Sequence, residues 1–296
     1  MKAVVGASSF ADSSDKAMNL LLEKGIQVEK NPYKRKMTEE EIIKHLQNAD
    51  GLLAGLEPLN ENVFRKAPQL KAIARIGIGM DNVDLAAADK YKIKVSNTPD
   101  GPTQAVAEMT LTNLLVLLHQ VLQSNDDVHN GIWQKRIGCS IKGIKILVVG
   151  YGHIGKQVAE LMGDLGAEIM VYDKYNTAVS TCTLEEGLKE ADAVTLHVSG
   201  NEEVIGRREM EMMKDGAMLL NSARGMVVNE EALYDNLNSG KIAGFWGDAL
   251  WQEPYKGKIC ECKNAILTPH ICTYTSTCRE NMETEAVKNL IRDLGV

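Results

Sequence analysis

The glycine-rich turn after residue 149 constrains the fold of this chain more than any other feature. An apolar run at 144–149 leads into Gly-Tyr-Gly-His-Ile-Gly, and a helical segment follows from Lys156 to Leu165. The pattern Gly-x-Gly-x-x-Gly between a strand and a helix is typical of dinucleotide binding. Gly150 permits the tight turn, Gly152 lets the backbone approach a pyrophosphate, and Gly155 allows the helix to pack closely on the strand.

A carboxylate follows at the spacing that an NAD site requires. A second strand, Ala167 to Tyr172, ends at Asp173, which lies 21 residues beyond Gly152. There its carboxylate can accept hydrogen bonds from both ribose hydroxyls of NAD, and it would repel the 2′-phosphate of NADP. We favour NAD, although Lys174 next to this acid weakens the preference. A glycine turn without a ligand is the simpler alternative, but the turn, strand, helix and acid together argue against it.

Short apolar strands alternate with helices along nearly the whole chain, which is typical of βαβ units and a parallel sheet. A capping-box pattern at Thr38 predicts a helix to Gln47, a long helical stretch runs from Thr103 to about Val128, and a terminal helix is expected from Glu280 to Leu294. Two series of strands are expected, near residues 2–6, 26–29, 51–54, 71–75 and 93–96, then near 144–149, 169, 194, 218, 242 and 266. We predict an α/β protein with two doubly wound parallel-sheet domains, one flavodoxin-like and one Rossmann.

Length and charge exclude several classes of protein. The chain has 296 residues, 44% of them apolar and 25% charged, which suits about two globular domains. Its formal net charge of −7 and the absence of a run of five Lys or Arg argue against a nucleic-acid partner. The N-terminus becomes polar too early for a signal peptide, and polar residues interrupt every long apolar stretch. We therefore expect a cytoplasmic protein with no membrane segment and with reduced cysteines.

Three charged side chains follow later strands of the second series. Arg224 could hold a substrate carboxylate bidentately and polarise the adjacent carbonyl. Glu253, bonded to His270, would favour the imidazolium and orient the ring, so that His270 serves as a general acid when a hydride arrives. Each residue alone could be an ordinary salt-bridge partner, surface acid or loop histidine. Together, behind a dinucleotide turn, they indicate catalysis.

Several motifs in this order resemble those of the D-isomer-specific 2-hydroxyacid dehydrogenases, most closely their phosphoglycerate-dehydrogenase-like branch. The motifs are residues 75–84, 97–99, 150–155 with Asp173, 221–225, Asp248 with Glu253-Pro254, and 268–270. The resemblance implies an NAD-dependent enzyme that interconverts a D-2-hydroxy acid and its 2-keto acid. It also implies a substrate domain at 1–98 plus 276–296, an NAD domain at 99–275, and a homodimer.

The resemblance also implies roles for individual residues. Arg224 would bind the substrate carboxylate, His270 would be the acid/base, and Glu253 its partner. Cofactor contacts are expected, besides the three glycines and Asp173, from His153, Ile154, Val198, Ser222, Ala223 and Asp248. Substrate contacts are expected from the backbone of Ile76, Gly77 and Ile78, and from Arg75, whose position contacts phosphate in phosphoglycerate-type members. No metal is expected.

Several alternatives stay open. The leading substrate pair is 3-phosphoglycerate and 3-phosphohydroxypyruvate, or another doubly anionic acid, but Pro102, Ser199 and Cys272 depart from the family pattern. A hydroxypyruvate or glyoxylate reductase and a non-catalytic NAD-responsive binding protein are the other candidates. A zinc site built from Cys260, Cys262, Cys272 and His270 is disfavoured by its spacing. Because the sequence ends at residue 296, we expect no C-terminal regulatory domain.

Overall fold

The computed structural model describes all residues from Met1 to Val296 and divides into two compact units. Unit 1 comprises Met1–Pro102 and Thr273–Val296, and unit 2 comprises Thr103–Cys272. Each unit is built on one parallel sheet with helices, which confirms the predicted fold class. The boundaries predicted from the sequence, after residues 98 and 275, lie a few residues away from these.

Unit 1 contains a five-stranded sheet with the strand order β2-β1-β3-β4-β5, and every neighbouring pair is parallel. The strands β1 and β3 have almost no exposed residue, as expected for central strands covered on both faces. The strands are β1 (Lys2–Val5), β2 (Gln27–Glu29), β3 (Gly51–Ala54), β4 (Ala72–Arg75) and β5 (Lys94–Ser96). The helices between them are α1 (Lys16–Glu23), α2 (Glu39–His45), α3 (Glu61–Lys66) and α4 (Leu85–Lys90).

The start of α2 shows how local sequence fixes an element. The Thr38 hydroxyl accepts a hydrogen bond from Glu41 N, and the Glu41 carboxylate accepts one from Thr38 N. This reciprocal arrangement satisfies backbone donors that the first turn of a helix leaves without partners. The capping box predicted at Thr38 is therefore confirmed, and the helix ends two residues before the predicted Gln47.

Unit 2 contains a six-stranded parallel sheet with the strand order β11-β10-β9-β8-β6-β7. Because β6 lies between β7 and β8, the chain reverses its direction of winding there, and the carboxyl end of β6 is a topological switch point. The strands are β6 (Lys145–Val149), β7 (Glu168–Tyr172), β8 (Ala193–Leu196), β9 (Ala217–Asn221), β10 (Ile242–Gly247) and β11 (Ala265–Leu267). The helices are α5 (Thr103–Leu118), α6 (Val121–His129), α7 (His153–Asp164), α8 (Leu184–Glu190), α9 (Arg207–Met212) and α10 (Glu230–Ser239).

The long helical stretch expected from Thr103 to about Val128 is two helices. The chain breaks at Gln120, which has a φ of +51°, and α5 and α6 meet at 60°. The physical reason is burial: α5 has a buried apolar face, whereas α6 has no buried residue. No single helix is long and apolar enough to span a bilayer, although α5 and α6 taken together would qualify by length and composition alone.

The last helix, α11 (Ser276–Leu294), belongs to unit 1 and begins four residues before the predicted Glu280. It packs against β3, β4 and α1, and Thr275 caps its first turn by accepting from Cys278 N. Its fully buried Glu283 accepts hydrogen bonds from Ala11 N at 2.9 Å and from Arg279 Nη2 at 2.7 Å. This helix therefore fixes the loop that follows β1.

Candidate active site

The glycine turn after β6 combines two crowded positions with one open position. Gly150 has a φ of +91°, and a Cβ there would lie 2.7 Å from the carbonyl oxygen of His197. A Cβ on Gly155 would overlap the carbonyl oxygen of Gly150, so α7 packs tightly on the turn. Gly152, the N-cap of α7, has no atom within 4 Å of where its Cβ would be. The N-terminus of α7 therefore has room beside it for an anion such as a pyrophosphate.

Asp173 is tied to this turn by backbone donors. Tyr151 N donates to Oδ2 at 2.8 Å, and Tyr175 N and Asn176 N donate to Oδ1 at 2.9 and 2.8 Å. These hydrogen bonds, that of Tyr151 first, hold the pKa of Asp173 below its usual value. A carboxylate oxygen can accept more than one hydrogen bond, so the ionised group keeps acceptor capacity for ribose hydroxyls.

A cavity of about 420 Å³ lies at the carboxyl ends of β6, β7 and β8. Four predicted cofactor residues line it: Gly150, Gly152, Asp173 and Val198. At its edge Lys174 Nζ lies 2.8 Å from Glu202 Oε2. The lysine that weakened the preference for NAD over NADP therefore has an opposite charge beside it. The residues present therefore fit an adenosine–pyrophosphate group.

His197, which also lines this cavity, is a site residue that the sequence analysis missed. Its Nδ1 lies 2.9 Å from Ser222 Oγ, and its Nε2 lies 2.9 Å from Thr195 Oγ1. Burial lowers the pKa of His197 to about 3, so the ring is neutral. His197 thus links the cofactor cavity to Ser222, a predicted cofactor residue. Its position directly after the buried strand β8 was the available signal.

The turn after β9 holds Arg224 in place. The Asn221 side chain accepts from Ala223 N at 3.0 Å and donates to the Arg224 carbonyl at 2.8 Å. A Cβ on Gly225 would overlap the backbone of residues 250–251, so this turn packs directly on the segment after β10. The guanidinium of Arg224 donates from Nη1 to the Ala223 carbonyl at 2.9 Å. The backbone around Arg224 is thereby fixed on both sides.

His270 and Glu253 form the hydrogen bond that the sequence analysis expected. His270 Nδ1 lies 2.9 Å from Glu253 Oε1, and both side chains are partly exposed. This bond lowers the pKa of Glu253, which keeps the carboxylate ionised beside the ring. With Nδ1 engaged, Nε2 is the nitrogen of His270 that remains for proton transfer.

Asp248 holds the loop that carries His270. His270 has a φ of +57°, a conformation that is strained for a residue with a side chain. Its N–H donates to the Asp248 carbonyl at 2.9 Å. The buried Asp248 carboxylate accepts from Thr268 Oγ1 at 2.6 Å, from Ile271 N at 2.9 Å and from Cys272 N at 3.0 Å. These bonds show that Asp248 fixes the histidine loop, whereas its expected contact with the cofactor stays a prediction.

In unit 1 the predicted substrate loop follows β4. Two of the three backbone N–H groups at 76–78 donate hydrogen bonds within unit 1. Ile76 N donates to the Ala54 carbonyl at 3.0 Å, and Gly77 N donates to Thr98 Oγ1 at 2.8 Å. The N–H of Ile78 has no such internal acceptor. Gly77 has a φ of +132°, and a Cβ there would overlap Nη1 of Arg75. The Arg75 guanidinium therefore lies folded against this loop.

The cysteines and histidines are not grouped around a common point. No group of three or more His, Cys, Asp or Glu side chains is arranged to hold a metal ion, and none of the six cysteines forms a disulfide. The zinc site considered from the spacing of Cys260, Cys262, Cys272 and His270 therefore has no structural basis.

Comparison with known proteins assigns the family. The family model for the D-isomer specific 2-hydroxyacid dehydrogenase NAD binding domain matches residues 111–272. A glyoxylate reductase from Thermococcus gammatolerans is 34% identical over 292 residues, covering 92% of this chain and 87% of that protein. The chain belongs to the D-isomer-specific 2-hydroxyacid dehydrogenases. This confirms the resemblance identified from the sequence.

Further comparisons of sequence and structure do not assign this 2-hydroxyacid dehydrogenase to one branch of the family. The D-3-phosphoglycerate dehydrogenase of Escherichia coli is 35% identical over 277 residues, covering 88% of this chain and 68% of that protein. Among solved structures, the TT0316 protein from Thermus thermophilus has a TM-score of 0.92 and 32% identity, with 100% of this chain and 97% of that chain covered. The phosphoglycerate branch is therefore one of several relatives.

Family membership settles the enzyme class and the cofactor of this 2-hydroxyacid dehydrogenase. It is an NAD-dependent oxidoreductase, as the sequence predicted, and its substrates are small 2-hydroxy or 2-keto acids. The alternative of a non-catalytic NAD-responsive binding protein gains no support, because the curated relatives described above are named as enzymes.

Proposed function

We propose that this dehydrogenase interconverts a D-2-hydroxy acid and its 2-keto acid with His270 as the acid/base. The observation that carries the proposal is the 2.9 Å bond from His270 Nδ1 to Glu253 Oε1, on a loop locked by Asp248. Held by the glycine turn and Asp173, the cofactor would supply the hydride acceptor as NAD⁺ in oxidation and the hydride donor as NADH in reduction. In oxidation, His270 Nε2 removes the hydroxyl proton while Glu253 stabilises the imidazolium. In reduction, His270 returns this proton to the carbonyl oxygen.

Arg224 is proposed to bind the carboxylate of the substrate. A guanidinium can donate two parallel hydrogen bonds to a carboxylate and so fix the adjacent carbon in one orientation, which a lysine cannot do. The rigid turn after β9 supports this role, because the Asn221 side chain holds the backbone on either side of Arg224. In unit 1, the loop at 76–78 is proposed to contact the substrate through its backbone, with the Ile78 N–H as a donor.

The leading substrate pair remains 3-phosphoglycerate and 3-phosphohydroxypyruvate. Arg75 supports it, because the side chain lies against the 76–78 loop, where it could bind a second anionic group. A hydroxypyruvate or glyoxylate reductase is the second candidate. It is supported by the similarity to a glyoxylate reductase that covers 92% of this chain.

The oxidation of NADH by the purified protein tests this function. We expect its absorbance to fall with at least one acid among 3-phosphohydroxypyruvate, hydroxypyruvate, glyoxylate and pyruvate, and NADPH to be used less well. A His270→Gln variant that still binds NADH is the matched control. If no acid on this panel oxidises NADH, or if His270→Gln turns over like the parent protein, the proposal fails.

The two units are proposed to have different binding roles, one for the cofactor and one for the substrate. Unit 2 carries the NAD cavity and matches the family's NAD-binding model over residues 111–272, so we assign it to the cofactor. Unit 1, at Met1–Pro102 and Thr273–Val296, is assigned to the substrate. These assignments correspond to the domains expected at 99–275 and at 1–98 plus 276–296.

A cytoplasmic homodimer is proposed as the working form. The segment from α6 to Ile137 exposes a series of large apolar side chains, which are Val121, Leu122, Val128, Ile132, Trp133 and Ile137. Trp133 is 85% exposed and Ile137 is 92% exposed, and clustered apolar exposure of this kind marks an interaction surface. Six cysteines without a disulfide suit a reducing compartment. Light scattering should give twice the 32.5 kDa chain mass for the parent protein and a single chain for Trp133→Glu.

A further inference from the structure

Unit 1 contains a buried carboxylate that the proposed mechanism does not use. Glu57 follows β3 and has no exposed surface. Both of its carboxyl oxygens accept a hydrogen bond from Gly55 N, at 3.0 and 3.1 Å. The Asn82 side chain donates to the carbonyls of Gly55 and Glu57, which holds the turn that carries this carboxylate.

Two glycines make the space that the Glu57 carboxyl group fills. A Cβ on Gly6, directly after β1, would overlap this carboxyl group, and a Cβ on Gly55 would lie 3.0 Å from its Oε2. Strands β1 and β3 are neighbours at the point where the strand order of unit 1 reverses. Glu57 therefore occupies the switch point at which a doubly wound sheet ordinarily receives a ligand.

The turn that carries Glu57 follows a strand whose neighbour ends at a positively charged residue, Arg75. Both hydrogen bonds to the carboxyl oxygens of Glu57 come from a single donor, the N–H of Gly55, and an ionised carboxylate can accept on both oxygens. A buried carboxylate needs an opposite charge. The sheet register pairs Ala54 with Arg75, which brings the arginine beside the end of β3. Burial raises the pKa of Glu57, and the positive charges of Arg75 and, to a smaller extent, Lys36 oppose that rise.

We propose that Glu57 determines substrate specificity by offsetting the charge that Arg75 presents to a second anionic group of the substrate. With Glu57 ionised, the parent enzyme has a limited preference for phosphorylated over unphosphorylated 2-keto acids. The inference rests on the proposed function, because it concerns the substrate site of the same reaction. Glu57 has no exposed surface, so it is a positioning residue that acts through Arg75.

The test is the Glu57→Gln variant, which removes the charge and keeps the size. The quantity measured is the ratio of kcat/KM for 3-phosphohydroxypyruvate to kcat/KM for hydroxypyruvate. We expect this ratio to rise about tenfold, because a buried charge close to the site acts on a dianion more strongly than on an unphosphorylated acid. In an Arg75→Gln background the same substitution should leave the ratio unchanged, because its effect passes through Arg75.

Glu283→Gln is the matched control, because Glu283 is a second fully buried glutamate of unit 1 that hydrogen-bonds to an arginine, Arg279. We expect it to lower the melting temperature without changing the substrate ratio. A Glu57→Gln protein with an unchanged or lower ratio overturns the inference, as does an equal rise in the Arg75→Gln background.

The parent enzyme offers a second measurement in case Glu57→Gln does not fold. If Glu57 offsets Arg75, then kcat/KM for the phosphorylated acid falls with added salt no more steeply than for the unphosphorylated acid. A clearly steeper fall overturns the inference. Failure of the proposed function would look different, because the parent enzyme would then reduce none of these acids.

Discussion

The switch points of the two sheets differ in whether the space beside their glycines is open or filled. In unit 2 the glycines after β6 leave open space beside Gly152, at the start of α7. In unit 1 the glycines after β1 and β3 are just as necessary, but the space they leave is filled by the carboxyl group of Glu57. A missing Cβ can thus admit a ligand or one of the protein's own side chains. The surrounding contacts, more than the glycine itself, decide which of the two occurs.

The largest expected effect is on the chemistry carried by unit 2. Replacing His270 with Gln should lower kcat by about 10²- to 10⁴-fold, because the general acid/base is lost. The affinity for NAD, measured by the quenching of protein fluorescence, should stay within about twofold because the glycine turn and Asp173 are untouched. A parallel loss of NAD affinity would mean that His270 holds the cofactor and does not transfer the proton.

A matched pair of alanine substitutions tests whether the open and the filled switch point differ in their effects on stability and on NAD binding. Gly6→Ala should lower the free energy of unfolding by about 1–3 kcal/mol, because the new Cβ must displace a buried carboxyl group. Gly152→Ala should leave stability within about 0.5 kcal/mol and weaken NAD binding about tenfold, since its Cβ enters the empty space. Thermal unfolding and NAD titration of both variants measure this. The contrast disappears if both variants lose stability equally.

A smaller effect is expected from the ribose-binding carboxylate. Asp173→Ser should reduce the preference for NAD over NADP by about 1.4 kcal/mol, or tenfold, because the charge that repels a 2′-phosphate is removed. Lys174→Ala is the companion variant, and because Lys174 is already paired with Glu202 we expect it to change the preference little. If the lysine variant changes the preference more than the aspartate variant does, the assignment of Asp173 is wrong.

The smallest expected effect is that of pH on cofactor binding. The backbone donors of Tyr151, Tyr175 and Asn176 hold the pKa of Asp173 below its usual value. A carboxyl group with a lowered pKa stays ionised above it and loses its charge only as the pH falls through that lowered value. The affinity for NAD should therefore stay level from about pH 8 to about pH 5. A titration in which affinity already declines near pH 6 would contradict this.

Local patterns predicted much of the fold and of the geometry of the candidate cofactor site. The glycine turn, the acid at the end of β7 and the capping box of α2 each depend on residues close together in sequence or on a fixed motif spacing. The break at Gln120 was missed because an apolar composition does not show where a helix leaves the core.

Contacts that depend on the sheet register were not predictable from the sequence. The His197 ring contacts Ser222, the Asp248 carboxylate reaches residues 268–272, and Glu57 meets Gly6 only because β1 and β3 are neighbours. In each case the partners come from different βα segments, so the motif of either one alone gives no sign of the other.

The hydrogen bond from Ala11 to Glu283 has a consequence for the order of folding during synthesis. It joins residues 272 positions apart, and the whole of unit 2 lies between them in the sequence. The ribosome therefore releases every residue of unit 2 before α11 exists to fix the loop after β1. The cofactor-binding unit can form first on the nascent chain, whereas the unit that opens the sequence has to wait for the last helix.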